Sequence, residues 1–158
     1  MRCSLLITLT ATLALASCGD SPATADAGYK SLQSGDYAAA LATFDTVLAG
    51  VPKEDAGYKT AVLDRLQALA HVNAEQSTTE FLALLDGGMA LGAKDFSLIA
   101  TELNAAGEAG LSVAIIDMGK KTFPEDATIA KLLEKAIAMA KADPDGAGAA
   151  ALSGLGYL

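Results

Sequence analysis

The stretch GDYAAALATFDTVLAGVP, residues 35–52, is the segment from which the fold can be worked out. Its apolar side chains recur at intervals of three, four and seven, which predicts one buried stripe along a helix that begins near Asp36. Asp36 suits the N-cap, because its carboxylate can accept a backbone N–H, and Gly35 suits the preceding turn. Gly50 and Pro52 are expected to end the helix. The stripe consists of Tyr37, Ala40, Leu41, Phe44, Val47 and Leu48.

The side-chain sizes within this stripe indicate close contact with a second helix. Ala40 is small where two helices cross, and Phe44, one turn later, fills the adjoining gap. Ala40, three residues, Phe44 and then Pro52 resembles the end of the tetratricopeptide repeat, with Gly35 opening the turn before it. An ordinary amphipathic helix after a turn is the alternative. The resemblance implies antiparallel helical hairpins stacked as a short solenoid.

The segment before residue 35 matches that repeat only in part. A helix that includes residues 29–34 is expected to pair with the first stripe, and Gly28 falls where the pattern has its first Gly. Other positions depart from the pattern, namely Thr24, Ala27 and Ser31.

A second stretch repeats the first. Residues 107–124 also run from a Gly to a Pro over the same length and begin 72 residues later, about twice the usual 34-residue period. In this register Ser112 matches Ala40, and Ile116 matches Phe44. The internal period supports a repeat architecture independently of the family pattern.

The remaining segments predict further helices. Residues 54–73 have helical spacing and an acidic first turn at Glu54 and Asp55. Ser77 to Glu80 is typical of a capping box for a helix that stops at Gly87-Gly88. Asp95 is expected to be the N-cap of a helix ending at Gly107.

A last helix is expected from Pro124-Glu125-Asp126 to about Ala142, unpaired at the end of the stack. The Gly- and Ala-rich residues 143–158 then form either a flexible tail or a segment docked through apolar side chains, and we favour docking. The side chains that would dock are Leu152, Leu155, Tyr157 and Leu158.

Composition places the chain in the all-α class. It has 158 residues, is 52% hydrophobic and lacks Trp, and Ala and Leu dominate over β-branched runs. We therefore predict one all-α domain at residues 27–142 with about seven helices. The formal net charge of −8 disfavours binding to a phosphate backbone, so we expect no nucleic-acid partner.

The N-terminal segment indicates export. Arg2 is followed by an apolar run at residues 5–16, which is typical of a signal peptide and is too short to span a bilayer. Leu15-Ala16-Ser17-Cys18 resembles the lipobox of bacterial lipoproteins. The resemblance implies removal of residues 1–17, diacylglyceryl transfer to the Cys18 sulfur and acylation, as with palmitate, of the new amino group. A secretory signal with an incidental Cys is the alternative. Residues 18–26 would form a lipidated tether.

The same resemblance implies a place in the bacterial cell envelope, anchored by lipid and facing the periplasm. Gly19 occupies the position where Asp tends to retain a lipoprotein in the inner membrane, which favours the outer membrane.

Reactive groups are few. Cys3 would leave with the signal peptide, and His71 is the chain's single His, so we expect no catalytic residue, no metal site and no cofactor. His71 is expected to cap a helix or to face solvent.

We therefore expect a protein–protein interaction scaffold or assembly factor that binds an envelope protein or peptide in a helical-repeat groove. The alternative is a carrier of a small hydrophobic ligand or an accessory subunit of an envelope enzyme complex. Because the first helix of each hairpin lines the concave face in tetratricopeptide proteins, polar residues on those helices are candidates for partner binding. These are Lys30, Lys59, Arg65, Glu102 and Asn104.

Overall fold

Eight α-helices and no strand make up the part of the chain that the computed structural model describes, residues 24–158. The all-α prediction is confirmed, with one helix more than the seven expected. The predicted signal peptide and lipobox lie outside the described residues. The helices are α1 (Ala25–Gln33), α2 (Tyr37–Gly50), α3 (Tyr58–Val72), α4 (Ala74–Asp86), α5 (Ala93–Ala105), α6 (Ala109–Thr122), α7 (Ala127–Ala142) and α8 (Ala147–Gly154).

The helices alternate between two layers. In the first layer α1 packs on α3, α3 on α5, and α5 on α7. In the second layer α4 packs on α6 and α6 on α8, while α2 packs on α1 and α3. This arrangement, in which each helix contacts its neighbour in sequence or the next helix but one, is compatible with a helical-repeat solenoid.

The segment at residues 35–52 folds as predicted. Asp36 is the N-cap of α2, and its carboxylate accepts the Ala39 N–H at 3.2 Å. Gly35 has a φ of 78°, a backbone conformation that favours glycine. Ala40 and Phe44 are fully buried, and a Cβ added to Gly28 of α1 would lie 2.9 Å from the Phe44 ring. Close approach of α1 and α2 therefore depends on the glycine.

The internal period corresponds to matching helices. Helix α6 begins and ends 72 residues after α2, and both helices contain 14 residues. Gly107, before α6, has a φ of 88° and so repeats the turn at Gly35. Ser112 is buried like Ala40, and its hydroxyl donates to the Ala100 carbonyl of α5 at 2.7 Å. The two hairpins thus share a turn and a close crossing point.

Helix α3 begins later than predicted. It starts at Tyr58, and Glu54 and Asp55 lie in the preceding turn instead of a first helical turn. The Asp55 carboxylate accepts the Gly57 N–H at 2.7 Å, and the Asp55 N–H donates to the Pro52 carbonyl at 3.0 Å. These local bonds favour a turn over a helix.

The capping box predicted at Ser77 to Glu80 is wrong. Helix α4 begins at Ala74 directly after Asn73, which caps the end of α3 and the start of α4. The Asn73 side-chain carbonyl accepts the Gln76 N–H at 3.1 Å. Ser77 is fully buried one turn later, where its hydroxyl donates to the Leu66 carbonyl of α3 at 2.9 Å. Ser77 therefore makes a hydrogen bond between two helices and does not cap a helix.

The prediction that Asp95 is the N-cap of α5 is wrong, because Asp95 lies in the first turn of the helix. The N-cap is Gly92, whose N–H donates to the Asp95 carboxylate at 2.7 Å. The carboxylate therefore stabilises the same helix end from inside the helix.

The last predicted helix is α7, with Asp126 as its N-cap, but it is not unpaired. The chain turns after Asp143 and forms α8, which packs on α6 and α7. Leu152 is fully buried there, and the Tyr157 hydroxyl donates to the Asp117 carboxylate at 2.9 Å. Leu155 and Leu158 remain 42% and 51% exposed.

The core follows the stack in three clusters. The largest involves α3 to α7 and contains Phe81 and Phe96, which pack edge to face with ring centroids 5.0 Å apart. A second joins α2 to α3 through Ala40, Phe44 and Ala68. The third joins α6, α7 and α8. Each pair of adjoining helices is therefore held by buried apolar side chains.

Candidate functional site

An open groove lies between α5 and α7 in the first layer, and we call it the α5–α7 groove. Polar side chains of α5 and long side chains of α7 face one another across it at helical spacing, so each set occupies one face of its helix. The lining side chains are Ser97, Thr101 and Asn104 from α5 and Lys131, Lys135 and Met139 from α7.

The groove consists of three adjacent cavities that share lining residues, and the third extends between α6, α7 and α8. The first, at the start of α7, is about 310 Å³, and it joins a small second cavity of about 30 Å³ at Leu132 and Lys135. The second joins a third of about 200 Å³ at Asn104 and Met139. From residue 128 to residue 139 the groove measures about 16 Å at 1.5 Å per residue. That length matches about five residues of an extended peptide.

The groove carries positive charge on an acidic protein. Lys131 and Lys135 are exposed, and within residues 24–158 no carboxylate lies within 4.0 Å of either ammonium group. Met139 is 44% exposed at the same edge. The lining thus combines unpaired cations, hydrogen-bonding groups and one flexible apolar side chain.

The five binding residues predicted from the sequence do not come together. Lys30 is exposed on α1, and only Asn104 lines the groove. Lys59 forms an ion pair with Asp95 at 2.7 Å and also donates to the Ala90 carbonyl.

Arg65 occupies a different place from the one expected. Its guanidinium binds Asp45 of α2 and Glu80 of α4, so it faces the second layer and links two of its helices. Burial alone would lower the pKa of Arg65, but the hydrogen bonds to Asp45 and Glu80 outweigh it and raise the pKa. This residue holds the layers together.

Glu102 is paired with His71, whose expected solvent-facing or capping role is wrong. Only 10% of the His71 side chain is exposed, and its Nε2 lies 2.9 Å from the Glu102 carboxylate. The imidazole also stacks on Tyr37 of α2. These contacts fill the space between α3 and α5, whereas the space between α5 and α7 is open.

Sequence reasoning missed Lys131, Lys135 and Met139. They lie on a helix that was interpreted as an end cap, and their alignment with α5 depends on packing. The available signal was the charge of α7, which has three Lys and one Glu in an otherwise acidic chain.

Two features are absent from the described part. Within residues 24–158, no three side chains among His, Cys, Asp and Glu are placed to share a metal ion. No helix of this part combines the length and apolarity needed to cross a membrane.

Comparison with known protein families, curated proteins and solved structures found no match.

Proposed function

We propose that this protein is a lipid-anchored envelope scaffold that binds a protein or peptide partner in the α5–α7 groove. The observation that carries the proposal is the open groove itself, with Lys131, Lys135 and Asn104 directed into it. An extended segment bound there would meet hydrogen-bonding groups along α5 and cations along α7. Met139 would supply an adaptable apolar contact at one end.

The anchor is the second part of the proposal. Cys18 and the three residues before it match the lipobox, and Thr24, where the described fold begins, is six residues beyond Cys18. At about 3.5 Å per residue this tether reaches at most about 20 Å. The first helix would therefore be held close to the bilayer, on the periplasmic side and, as the Gly at position 19 favours, at the outer membrane.

The alternative of a small-ligand carrier receives less support. Ligand pockets usually measure about 300–1,000 Å³ and enclose most of the ligand. The cavity between Ala100, Ser112 and Ile116 is only about 30 Å³, and the adjacent cavities of about 200 and 310 Å³ are both partly open to solvent. We also propose no enzymatic role, cofactor or metal for the chain.

Partner capture tests the groove. Lys135→Glu reverses a charge in the groove, and Lys141→Glu makes the same change on α7 outside it. From detergent-solubilised envelope we expect the native chain and Lys141→Glu to recover one protein stoichiometrically and Lys135→Glu to recover several-fold less. Equal recovery by both variants would exclude the α5–α7 groove as the partner-binding site. Recovery of lipid alone would favour the alternative function, a carrier of a small hydrophobic ligand.

Fractionation tests the anchor. Cys18→Ser removes the acceptor sulfur, so the protein should leave the membrane fraction and keep the helical circular-dichroism spectrum of the native chain. A Cys3→Ser variant is the matched control and should remain in the membrane fraction. Continued membrane association of Cys18→Ser would contradict lipidation.

A further inference from the structure

A second groove lies in the opposite layer, between α4, α6 and α8, and we call it the second-layer groove. Its volume is about 470 Å³, and its lining is almost wholly apolar. Helix α6 forms its floor, with Leu82 of α4 on one side and Leu155, the C-cap of α8, on the other. Leu155 is 42% exposed, so a large apolar side chain borders solvent there.

The floor is shaped for close contact with another helix. Gly110 and Ala114 are one turn apart on α6 and have no atoms beyond Cβ, and Met118 follows one turn later. At Gly110 the close neighbour is α8, since a Cβ there would lie 3.7 Å from Ala147, whereas Ala114 is exposed and leaves room for a further helix. Met118 can adapt to the side chains that meet it. The groove is open along this row, since Ala114 and Gly154 are exposed. An open groove of this kind suits one face of a helix better than a small molecule, which requires enclosure.

The walls are held in place without a partner. Leu152 anchors α8 in the core. Below the rim, Asp117 accepts a hydrogen bond from the Tyr157 hydroxyl at 2.9 Å and pairs with Lys121 at 2.7 Å. The groove is therefore preformed, which reduces the entropy lost on binding.

The charge on the α4 rim indicates the kind of partner. Glu75 and Asp86 lie at helical spacing with Leu82, so the apolar wall is flanked by acidic groups. Both are exposed, and within residues 24–158 no basic group lies within 4.0 Å of either carboxylate. Helix α4 has three acidic residues and no Lys or Arg. A partner with basic residues beside its apolar face would complement this rim.

We propose that the second-layer groove docks one amphipathic helix of a partner protein, with large aliphatic side chains on the face that enters the groove and Lys or Arg on the flank that faces α4. This surface is distinct from the α5–α7 groove and goes beyond the function proposed above. A chain with both grooves would hold two segments at once, one on each layer.

A pair of designed peptides tests the proposal. Each is an 18-residue helix with the same leucine face and one Trp; the first has Lys on its polar flank and the second Glu. Because the chain has no Trp, peptide emission reports burial selectively. With the purified full chain we expect a saturable blue shift with the Lys peptide and at least tenfold weaker binding of the Glu peptide. A scrambled Lys peptide of equal composition should not saturate.

Substitutions locate the binding site. Ala114→Phe fills the floor without changing charge and should weaken binding of the Lys peptide at least tenfold, whereas Ala138→Phe, at an exposed position of α7, should not. Asp86→Lys should reduce the difference in affinity between the Lys peptide and the Glu peptide.

Unchanged binding of the Lys peptide by Ala114→Phe, or equal binding of both peptides by the native chain, would overturn the proposal. Concentration-dependent dimerisation that Ala114→Phe abolishes would also overturn it, since the occupant would then be a second copy. Lys135→Glu should leave peptide binding intact, which separates this result from the test of the α5–α7 groove.

Discussion

The Tyr37 ring lies flat against the His71 imidazole, with ring centroids 3.7 Å apart and planes 2° from parallel. The stack joins the first turn of α2 to the last turn of α3, and the Glu102 carboxylate, at the Nε2 edge of the His71 ring, extends the contact to α5. Three helices from both layers thus meet at one histidine. This meeting point gives the chain's single histidine a structural explanation.

A double-mutant cycle measures this contact. Tyr37→Ala removes the stack, and His71→Ala removes the stack together with the partner of Glu102. Each variant should lower the free energy of unfolding by about 1–3 kcal/mol. The loss in the double variant should be smaller than the sum of the two single losses by about 0.5–1.5 kcal/mol. Denaturant unfolding provides the measurement. Full additivity would show that the stacked geometry contributes nothing.

The crossing of α1 and α2 predicts an asymmetric effect of glycine substitution. Gly28→Ala places a Cβ 2.9 Å from the Phe44 ring, whereas a Cβ at Gly50 meets nothing within 4 Å. Relative to Gly50→Ala, Gly28→Ala should be less stable by about 1–3 kcal/mol, because the ring must move within a packed core. Thermal unfolding of the two variants gives the comparison.

A second substitution identifies the cause. Phe44→Leu in the Gly28→Ala background should restore part of the lost stability, although Phe44→Leu alone destabilises the native chain. If the two losses simply add, the steric explanation does not hold.

The contact of the C-terminal segment predicts an alkaline transition. Burial raises the pKa of Tyr157, and the hydrogen bond to Asp117 and the charge of that carboxylate raise it further. The folded state therefore favours the neutral phenol. Its stabilisation is complete below the ordinary value of 10.0 and is lost as the pH rises through the higher folded-state pKa.

Tyr157→Phe tests this transition. At pH 7 the variant should be less stable by about 1 kcal/mol, the contribution of one hydrogen bond. As the pH rises above about 10, the ordinary pKa of Tyr, the difference in stability between the variant and the native chain should shrink. A difference that stays constant with pH would exclude ionisation of Tyr157 as the cause.

Removing the charge of the Asp64 carboxylate is expected to stabilise the fold. Burial raises its pKa, and the hydrogen bond from Gln67 at 3.0 Å only partly opposes this. The folded state therefore disfavours the carboxylate, which lowers stability above the ordinary value of 3.8 and has no such effect below it.

Asp64→Asn keeps an oxygen that accepts from Gln67 and removes the charge. At pH 7 it should stabilise the fold by less than about 1 kcal/mol, since solvent screens a half-exposed group. The gain should vanish in denaturant titrations at about pH 3, where the native carboxyl is itself protonated. Glu134→Gln, at an exposed position of α7, should have no effect at either pH.

Local signals sufficed for some of the turns and caps that the chain forms with its own neighbours, but not for those at Asp55, Asn73 and Asp95. Asp36, Gly35 and Gly107 act as the sequence indicates, because a cap or a positive φ depends only on adjacent residues. Ser77 shows where such reasoning fails. Its spacing to Glu80 fits a capping box, but a hydrogen bond to Leu66 on another helix determines its place.

The candidate grooves could not be predicted for a related reason. Asn104 faces Lys135 and Met139 only because α5 and α7 pack side by side in one register, which no sequence interval specifies. The second-layer groove depends on α8, and the sequence favoured docking of the C-terminal segment without indicating which helices it would contact. Both surfaces arise from tertiary packing of helices whose individual patterns were visible.

Asn73 is the only residue between α3 and α4. One residue leaves two soft backbone dihedrals, and both are constrained, since the Asn73 N–H donates to the Leu69 carbonyl and its side chain accepts from Gln76. The connection between the two helices is therefore rigid. A displacement of α4 at one surface of the molecule would move α3 as well, whereas the seven residues between α2 and α3 can change conformation and absorb a displacement of α2.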